Sequence, residues 1–451
     1  MKKLFLSLLL VGIITGITGT SIVYAISEQD ITDRLERLRE SVERQQEEIR
    51  YLKQQLEEQK AAAEEAKERE AVEIKKAVAQ EVKEKIKLPG WVKRINISGD
   101  VRTRYEAIWN REEKDENLKD RNKGRLRARL FINTKVSDEF TGYLGLGTNW
   151  DFAKHYKAKT VNDDMTGYGS TKNFGLIRCY GEYKPKWLSG SKFGAGKYKL
   201  NFLYTDILWD PDCNPEGVYG YYMYKRFKMF QPFLYGSWNI LDEQKNDSDP
   251  RLTTIQPGFD LNFGNVKWTL AGSYHGYANL NKGQVYVCEG KKDQTMADLC
   301  TYGNSTYTIG SHKYYLYSFR LLEGITNLNF KFANIPVNIF FDYIENTADD
   351  VPGDHDTAIS TGFKVGENKK KGDLSLYFKW SKIEPDSTLG IFNDSDFYGS
   401  NRKGTKTKIS YNAWDWLTLN AAIFFTEEEK DTGNDGDDKE TRFMTDFVAK
   451  F

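Results

Sequence analysis

Five arginines on two short stretches carry the densest chemistry in the chain. Arg102 and Arg104 alternate with apolar residues between residues 95 and 109, and Arg125, Arg127 and Arg129 do the same a few residues later. In the first stretch Ile95, Ile97, Val101, Tyr105 and Trp109 share one parity, while Asp100, Arg102, Arg104 and Glu106 share the other. In the second, Leu126, Ala128, Leu130 and Ile132 oppose Arg125, Arg127, Arg129, Asn133 and Lys135. Side chains alternate faces along a β-strand, so each stretch has one apolar and one charged face. Residues two apart stand about 6.6 Å apart along a strand, which makes the arginines a basic ladder. Such ladders favour anions when they line a pore, and acidic rings favour cations. Candidate acids lie in polar loops: Asp210, Asp212 and Glu216 in one, Asp386, Asp394 and Asp396 in another. The expectation is a constriction with a basic wall on one side and an acidic loop on the other. The competing expectation is that the arginines pair with Asp100, Glu106 and other acids of the same face as structural fill.

Other chemistry is sparser. Asp210/Asp212 and Asp394/Asp396 are Asp-x-Asp pairs, a spacing hard cations accept, but neither has the EF-hand pattern and loop acids are commonly just solvated. The four histidines (His155, His275, His312, His355) form no metal-ligand spacing, so no metal or other cofactor is expected. Cys288 and Cys300 share one long loop and are candidates for a local disulfide; Cys179 and Cys213 show no relationship. No nucleophile and histidine, and no carboxylate pair, are brought together by spacing, so an enzyme is not expected. Lys+Arg and Asp+Glu are equal at 65 each, which argues against nucleic acid as a partner.

The elements that position these residues follow from period and length. The 451 residues are 39% hydrophobic with a mean hydropathy of −0.64, and no apolar run after residue 25 approaches the ~20 residues of a membrane helix. A transmembrane barrel escapes that test because its strands average out as polar, and 14% aromatics fit its interfacial girdles. Putting an arginine near the bilayer midplane costs about 2–4 kcal/mol, so all the ladder arginines must face a lumen. The alternation runs to the end of the chain. Short connections (137–140, 228–229, 264–265, 367–371, 414–415) and long polar ones (110–123, 151–173, 241–251, 278–312, 385–403, 427–439) fit periplasmic turns and external loops. With 325–345 taken as one long strand irregular at Pro336, the count is sixteen strands; fourteen or eighteen are alternatives.

The N-terminus reads as an export signal over residues 1–25: Lys2 and Lys3, an apolar run over 4–14, and Val23-Tyr24-Ala25 as the cleavage site, with an uncleaved helical anchor as the alternative. Residues 26–88 read as a periplasmic coiled coil. Leu35, Val42, Ile49 and Leu56 hold one heptad position, and Ile31, Leu38 and Leu52 the other. A continuous helix there would reach roughly 80–90 Å, and Pro89-Gly90 ends it. Seven seam residues need a partner chain, so a homo-oligomer is expected. Residues 89–451 form the barrel. Its last strand alternates Phe443, Thr445, Phe447, Ala449 and Phe451, an ending like the signal read by the barrel-assembly machinery.

In order along the chain, the segments 88–94 (LPGWVKR), 98–105 (SGDVRTRY), 208–218 (LWDPDCNPEGV), 335–338 (IPVN), 384–386 (EPD) and 394–397 (DSDF) carry a resemblance. The chain resembles the putative outer-membrane porins with an N-terminal coiled coil and a C-terminal sixteen-strand-type β-barrel. The resemblance covers nearly the whole chain and implies a general, usually trimeric, porin in contact with outer-membrane lipid; it implies no particular solute. The expected function is a water-filled channel for passive diffusion of small hydrophilic solutes or ions. A structural anchor, tethering the envelope to the cell wall through the coiled coil, is the alternative.

Overall fold

The computed structural model describes residues 28–85, 92–109, 120–148, 161–165, 168–244, 248–280, 302–309, 312–397, 399–430 and 439–451. Residues 1–25, expected to be an export signal, and Cys288 and Cys300 lie outside the described residues. The chain divides into two compact units, Met1–Leu88 and Pro89–Phe451.

The first unit holds one helix, α1 (Glu28–Lys85), of 58 residues. Ion pairs one turn apart, such as Arg39–Glu43 at 3.5 Å, lie on its surface. Val42, Ile49, Leu52 and Leu56, all from the heptad seam, are exposed.

The second unit is a closed antiparallel barrel. Its sixteen strands are β1 (Ile95–Trp109), β2 (Arg121–Lys135), β3 (Phe140–Thr148), β4 (Phe174–Tyr183), β5 (Ser191–Lys197), β6 (Glu216–Met223), β7 (Phe230–Ile240), β8 (Arg251–Phe263), β9 (Val266–Ala278), β10 (Arg320–Phe332), β11 (Ile335–Asn346), β12 (Thr357–Gly366), β13 (Leu374–Ile383), β14 (Arg402–Trp414), β15 (Leu417–Glu428) and β16 (Glu440–Lys450). Each pairs with the next, and β1 also pairs with β16, with Arg104 opposite Asp446. Short and long connections alternate around the whole circuit, and no described helix is long and apolar enough to cross a membrane.

The reading of 325–345 as a single strand is corrected here. The segment belongs to two strands, β10 and β11, joined by Ala333-Asn334, with φ of 47° and 65°. Two successive positive φ values make a tight hairpin whose twist suits the flanking strands. The usual Asn-Gly signal is missing because alanine takes the first position, and Pro336 sits one residue inside the new strand. The barrel has sixteen strands, with further connections at 184–190, 198–215 and 347–356 that the spacing did not mark.

Burial runs opposite to that of a water-soluble protein. On β1, Asp100, Arg102, Arg104 and Glu106 are buried while Ile97, Val101 and Tyr105 are exposed. The same inversion puts Trp268, Ile339, Trp380, Ile409, Phe425 and Phe447 on the outside. An apolar exterior this extensive requires a lipid solvent. At the seam, Gly99 and Phe451 exchange backbone hydrogen bonds of 2.9 and 3.1 Å. The Phe451 ring lies over Gly99 so closely that a β-carbon there would stand 2.5 Å from it. The closing residue of the chain therefore needs glycine beneath it.

Candidate constriction and its charge network

Two long connections turn into the barrel and bring acids to the basic face of β1 and β2. The first, 198–215, is held by one strand after another as it crosses. Tyr198 donates to Asn239 on β7 at 2.6 Å. The Leu203 backbone exchanges hydrogen bonds of 2.8 and 2.7 Å with the Gln256 side chain on β8. Thr205 donates to Asp342 on β11 at 2.6 Å, and Lys379 on β13 donates to Asp206 at 2.6 Å. Where the loop backbone turns away from water, as at Leu203, a strand side chain satisfies it. On the far side Asp212 meets Arg129 of β2 at 3.3 Å.

The second connection, 384–401, is fastened by Asn304, whose Nδ2 donates to the carbonyls of Pro385 (2.7 Å) and Thr388 (2.8 Å) and whose Oδ1 accepts from the Gly390 N–H. Within it Asp394 accepts from Lys406 of β14 at 2.9 Å, and Asp396 from Arg104 of β1 at 2.9 Å. The two connections lock together. Trp209 stacks on Phe392 with centroids 4.1 Å apart, and the Asp210 N–H donates to the Phe392 carbonyl at 2.5 Å.

The ladder arginines are ion-paired on their own wall as well. Arg127 and Arg129 share Asp100, each at 2.8 Å. Arg125 reaches Glu106 at 3.4 Å and Asp164 at 2.9 Å. Arg104 is also bound to Asp446 at 2.6 Å, and Arg102 lies 4.0 Å from the same carboxylate and donates to Asn162. Acids of the strands and acids of the loops thus bind the same cations directly, Asp446 and Asp396 at Arg104, and Asp100 and Asp212 at Arg129. Charge-assisted pairs of this kind are the stronger hydrogen bonds of a protein.

Not every candidate acid joins it. Glu216 is exposed at the start of β6 and pairs with Lys197 at 2.7 Å. Asp386 is buried elsewhere, accepting from Ser305 Oγ at 2.6 Å with His355 Nδ1 3.3 Å away. The Asp-x-Asp spacing turns out to build turns: Asp212 N–H donates to Asp210 Oδ1 (2.8 Å), and Asp396 N–H to Asp394 Oδ1 (3.0 Å). No metal-holding group of His, Cys, Asp or Glu occurs among the described residues. Lys379, Lys406, Arg442 and Asp206 belong to the network but escaped the sequence reading. Lys406 and Arg442 sit at inward parity on their strands, a signal available once strand boundaries are known.

The loop acids titrate unusually. Burial opposes ionisation of Asp396, but Arg104, Arg442 and Lys406 outweigh it and hold the carboxyl well below its ordinary range. Burial likewise opposes Asp206, and Lys379 and Lys406 overcome it. Asp386 goes the other way: burial raises it, and the bonds from Ser305 and the proximity of His355 only moderate the rise.

Residues 113–428 match the family described as Putative porin. No curated protein matches the chain. Among solved structures the chain is similar to the high-pH structure of OprB of Pseudomonas putida, with 10% identity, a TM-score of 0.49, and coverage of 80% of this chain and 95% of that one. It is similar to the outer-membrane channel DcaP of Acinetobacter baumannii, with 11% identity, a TM-score of 0.45, and coverage of 79% and 97%. It is also similar to OmpF of Salmonella typhi in complex with daunomycin, with 9% identity, a TM-score of 0.46, and coverage of 79% and 97%. The family match spans most of the strands whose charged faces turn inward, and with it the chain belongs to the putative porin family and is an outer-membrane porin channel.

Proposed function

We propose that the barrel is a water-filled channel for passive diffusion of small hydrophilic solutes or ions, narrowed by the 198–215 and 384–401 connections. The carrying observation is the contact of Asp396, from an inward loop, with Arg104 of the wall. It brings fixed charges of both signs together where the inward connection meets the wall. Passive diffusion needs no cofactor. Single-channel recording in a planar bilayer, with reversal potential under a salt gradient, tests the reading. Steady openings support it, and the sign of the potential reports which charges dominate. A folded barrel that never conducts sinks it.

The same proposal includes self-association, as a trimer. β5 and β6 have only 7 and 8 residues. At ~3.3 Å per residue and a tilt of ~40°, seven residues give roughly 17 Å of height against an apolar band of about 25 Å. That low stretch of wall, with Phe193 and Val218 exposed on it, is better covered by a second barrel than by lipid. The exposed heptad residues of α1 support the same conclusion for a periplasmic coiled coil, whose length suits contact with the cell wall. Phe451 at the seam supports delivery by the barrel-assembly machinery, and residues 1–25 an export signal.

A further inference from the structure

Inside the barrel, near the 136–139 turn, lies a cavity of about 250 Å³ that the charge network does not fill. Phe131 and Asn133 of β2, Tyr143 of β3, Arg178 and Tyr180 of β4, and Lys199 of the inward connection line it, and none of its lining residues is acidic. Tyr143 and Tyr180 are stacked, with centroids 4.4 Å apart and planes 5° apart, and form one flat wall. The Phe131 ring forms another, with the Arg178 guanidinium 5.0 Å from its centroid. Arg178 is held in place from behind: its Nε donates to Asn214 Oδ1 at 2.8 Å, which leaves the terminal nitrogens of its fork for another acceptor. Among the described residues no carboxylate stands within ion-pair distance of Arg178 or Lys199. The nearby acids are engaged elsewhere, Asp212 with Arg129 at 3.3 Å and Glu182 with Lys184 at 2.7 Å.

Flat apolar walls, a guanidinium with its fork unoccupied, an ammonium and a neutral amide together specify a ligand. We propose that this cavity binds a small organic anion with a flat ring, its carboxylate on Arg178 and Lys199 and its ring between the tyrosine wall and Phe131. An inorganic anion would leave the aromatic walls unused, and an uncharged ring would leave two cations unpaired. The volume lies below the roughly 300–1,000 Å³ of sites for drug-sized ligands, which limits the ligand to about one ring. The proposal deepens the channel reading, since it names a class of solute that pauses in the lumen.

Benzoate is the probe. Saturation-transfer NMR on the full-length protein in detergent should show transfer to its ring protons. The half-saturating concentration should rise about tenfold in Arg178→Gln, the loss of one charge-assisted bond. It should rise a few-fold in Lys199→Gln, a change at an exposed side chain that leaves the barrel folded whatever Arg178→Gln does. Benzyl alcohol, with the ring but no charge, and acetate, with the charge but no ring, should compete weakly. Equal competition by benzyl alcohol, or benzoate binding unchanged in Lys199→Gln and in any folded Arg178→Gln, overturns the site. Potassium chloride conductance of the same preparation separates the two readings. Binding without conductance removes the channel and keeps the site; conductance without benzoate binding removes the site alone.

Discussion

Arg104 and Asp396 are 292 residues apart in sequence and 2.9 Å apart in space, and their pairing ties a long connection to the first strand of the barrel. Arg104 does not depend on that bond alone, because Asp446 on the neighbouring strand holds it at 2.6 Å. Asp396 has less in reserve, with Arg442 next at 3.9 Å. Breaking the pair therefore leaves Arg104 held by its own wall but Asp396 without a close partner.

Asp396→Asn should expose this asymmetry. The substitution keeps the shape and removes the charge, leaving Arg104 paired with Asp446 and Arg442 with Glu440 at 2.9 Å. Stability should fall by about 1–3 kcal/mol, the range for losing a charge-assisted hydrogen bond at a buried site. Denaturant unfolding measures that loss, and the reversal potential should move toward anions by removal of one lumen acid. An unchanged potential would mean that Asp396 does not face the ion path.

Lys379→Met should loosen the other connection. The Lys379 side chain is fully buried, and its Nζ donates to Asp206 at 2.6 Å; without it that carboxylate keeps only Lys406 at 3.7 Å. Removing one partner of a buried pair costs about 3–5 kcal/mol, and the remaining Lys406 contact offsets part of that. The 198–215 segment relieves it by moving toward water. Single-channel conductance should rise or become noisy, with the barrel itself intact by heat-modifiable electrophoresis. Quiet wild-type conductance would show that Lys379 does not anchor the segment.

The two acids of the 384–401 connection should respond to pH in opposite senses. Asp396 is depressed in the folded state, so its contribution is present above the ordinary carboxylate range and is lost only as pH falls through its low folded value. Asp386 is raised, so its contribution is complete below the unfolded carboxylate range and shrinks as pH rises through the folded value. Asp386→Asn should therefore gain stability relative to wild type as pH rises from the ordinary carboxylate range through the raised folded value, where the wild-type side chain ionises. Thermal unfolding across that range checks it; parallel curves for the two proteins would contradict the raised value.

Much of this architecture was legible from residue type and spacing, and the gaps have physical causes. Alternation from residue 95 to 109 fixed both the strand and its inward face because a lipid exterior leaves no tolerance for misplaced charge. The hairpin at 333–334 was missed because Ala333 adopts a positive φ that its chemistry does not advertise. At the site, the ladder cations and two of their loop partners, Asp212 and Asp396, could be named, since arginine at inward parity needs acids. Which loop acids reach them could not, because Glu216 and Asp212 differ only in which side of a strand start they occupy. Asp206 looked like any loop acid; its role depends on Lys379, 173 residues away.

Gly99 and Phe451 offer the clearest test of how the barrel closes. A β-carbon at Gly99 would approach the Arg129 carbonyl oxygen at 2.4 Å and the Phe451 ring at 2.5 Å, so even alanine must push the final residue off the seam. The ring could swing away into lipid, but the backbone oxygen cannot, so part of the strain falls on the pairing of β1 with β2 and β16. Gly99→Ala should lower the yield of folded, heat-modifiable barrel, and Gly99→Val should lower it further because the branched side chain restricts its own escape. In refolding into detergent, where the assembly machinery plays no part, Phe451→Ala should restore part of the Gly99→Ala yield if the ring is the obstacle; no recovery assigns the strain to the Arg129 carbonyl. Folding of the Gly99→Val protein at wild-type yield would show that the ring does not seat on Gly99 when the barrel closes.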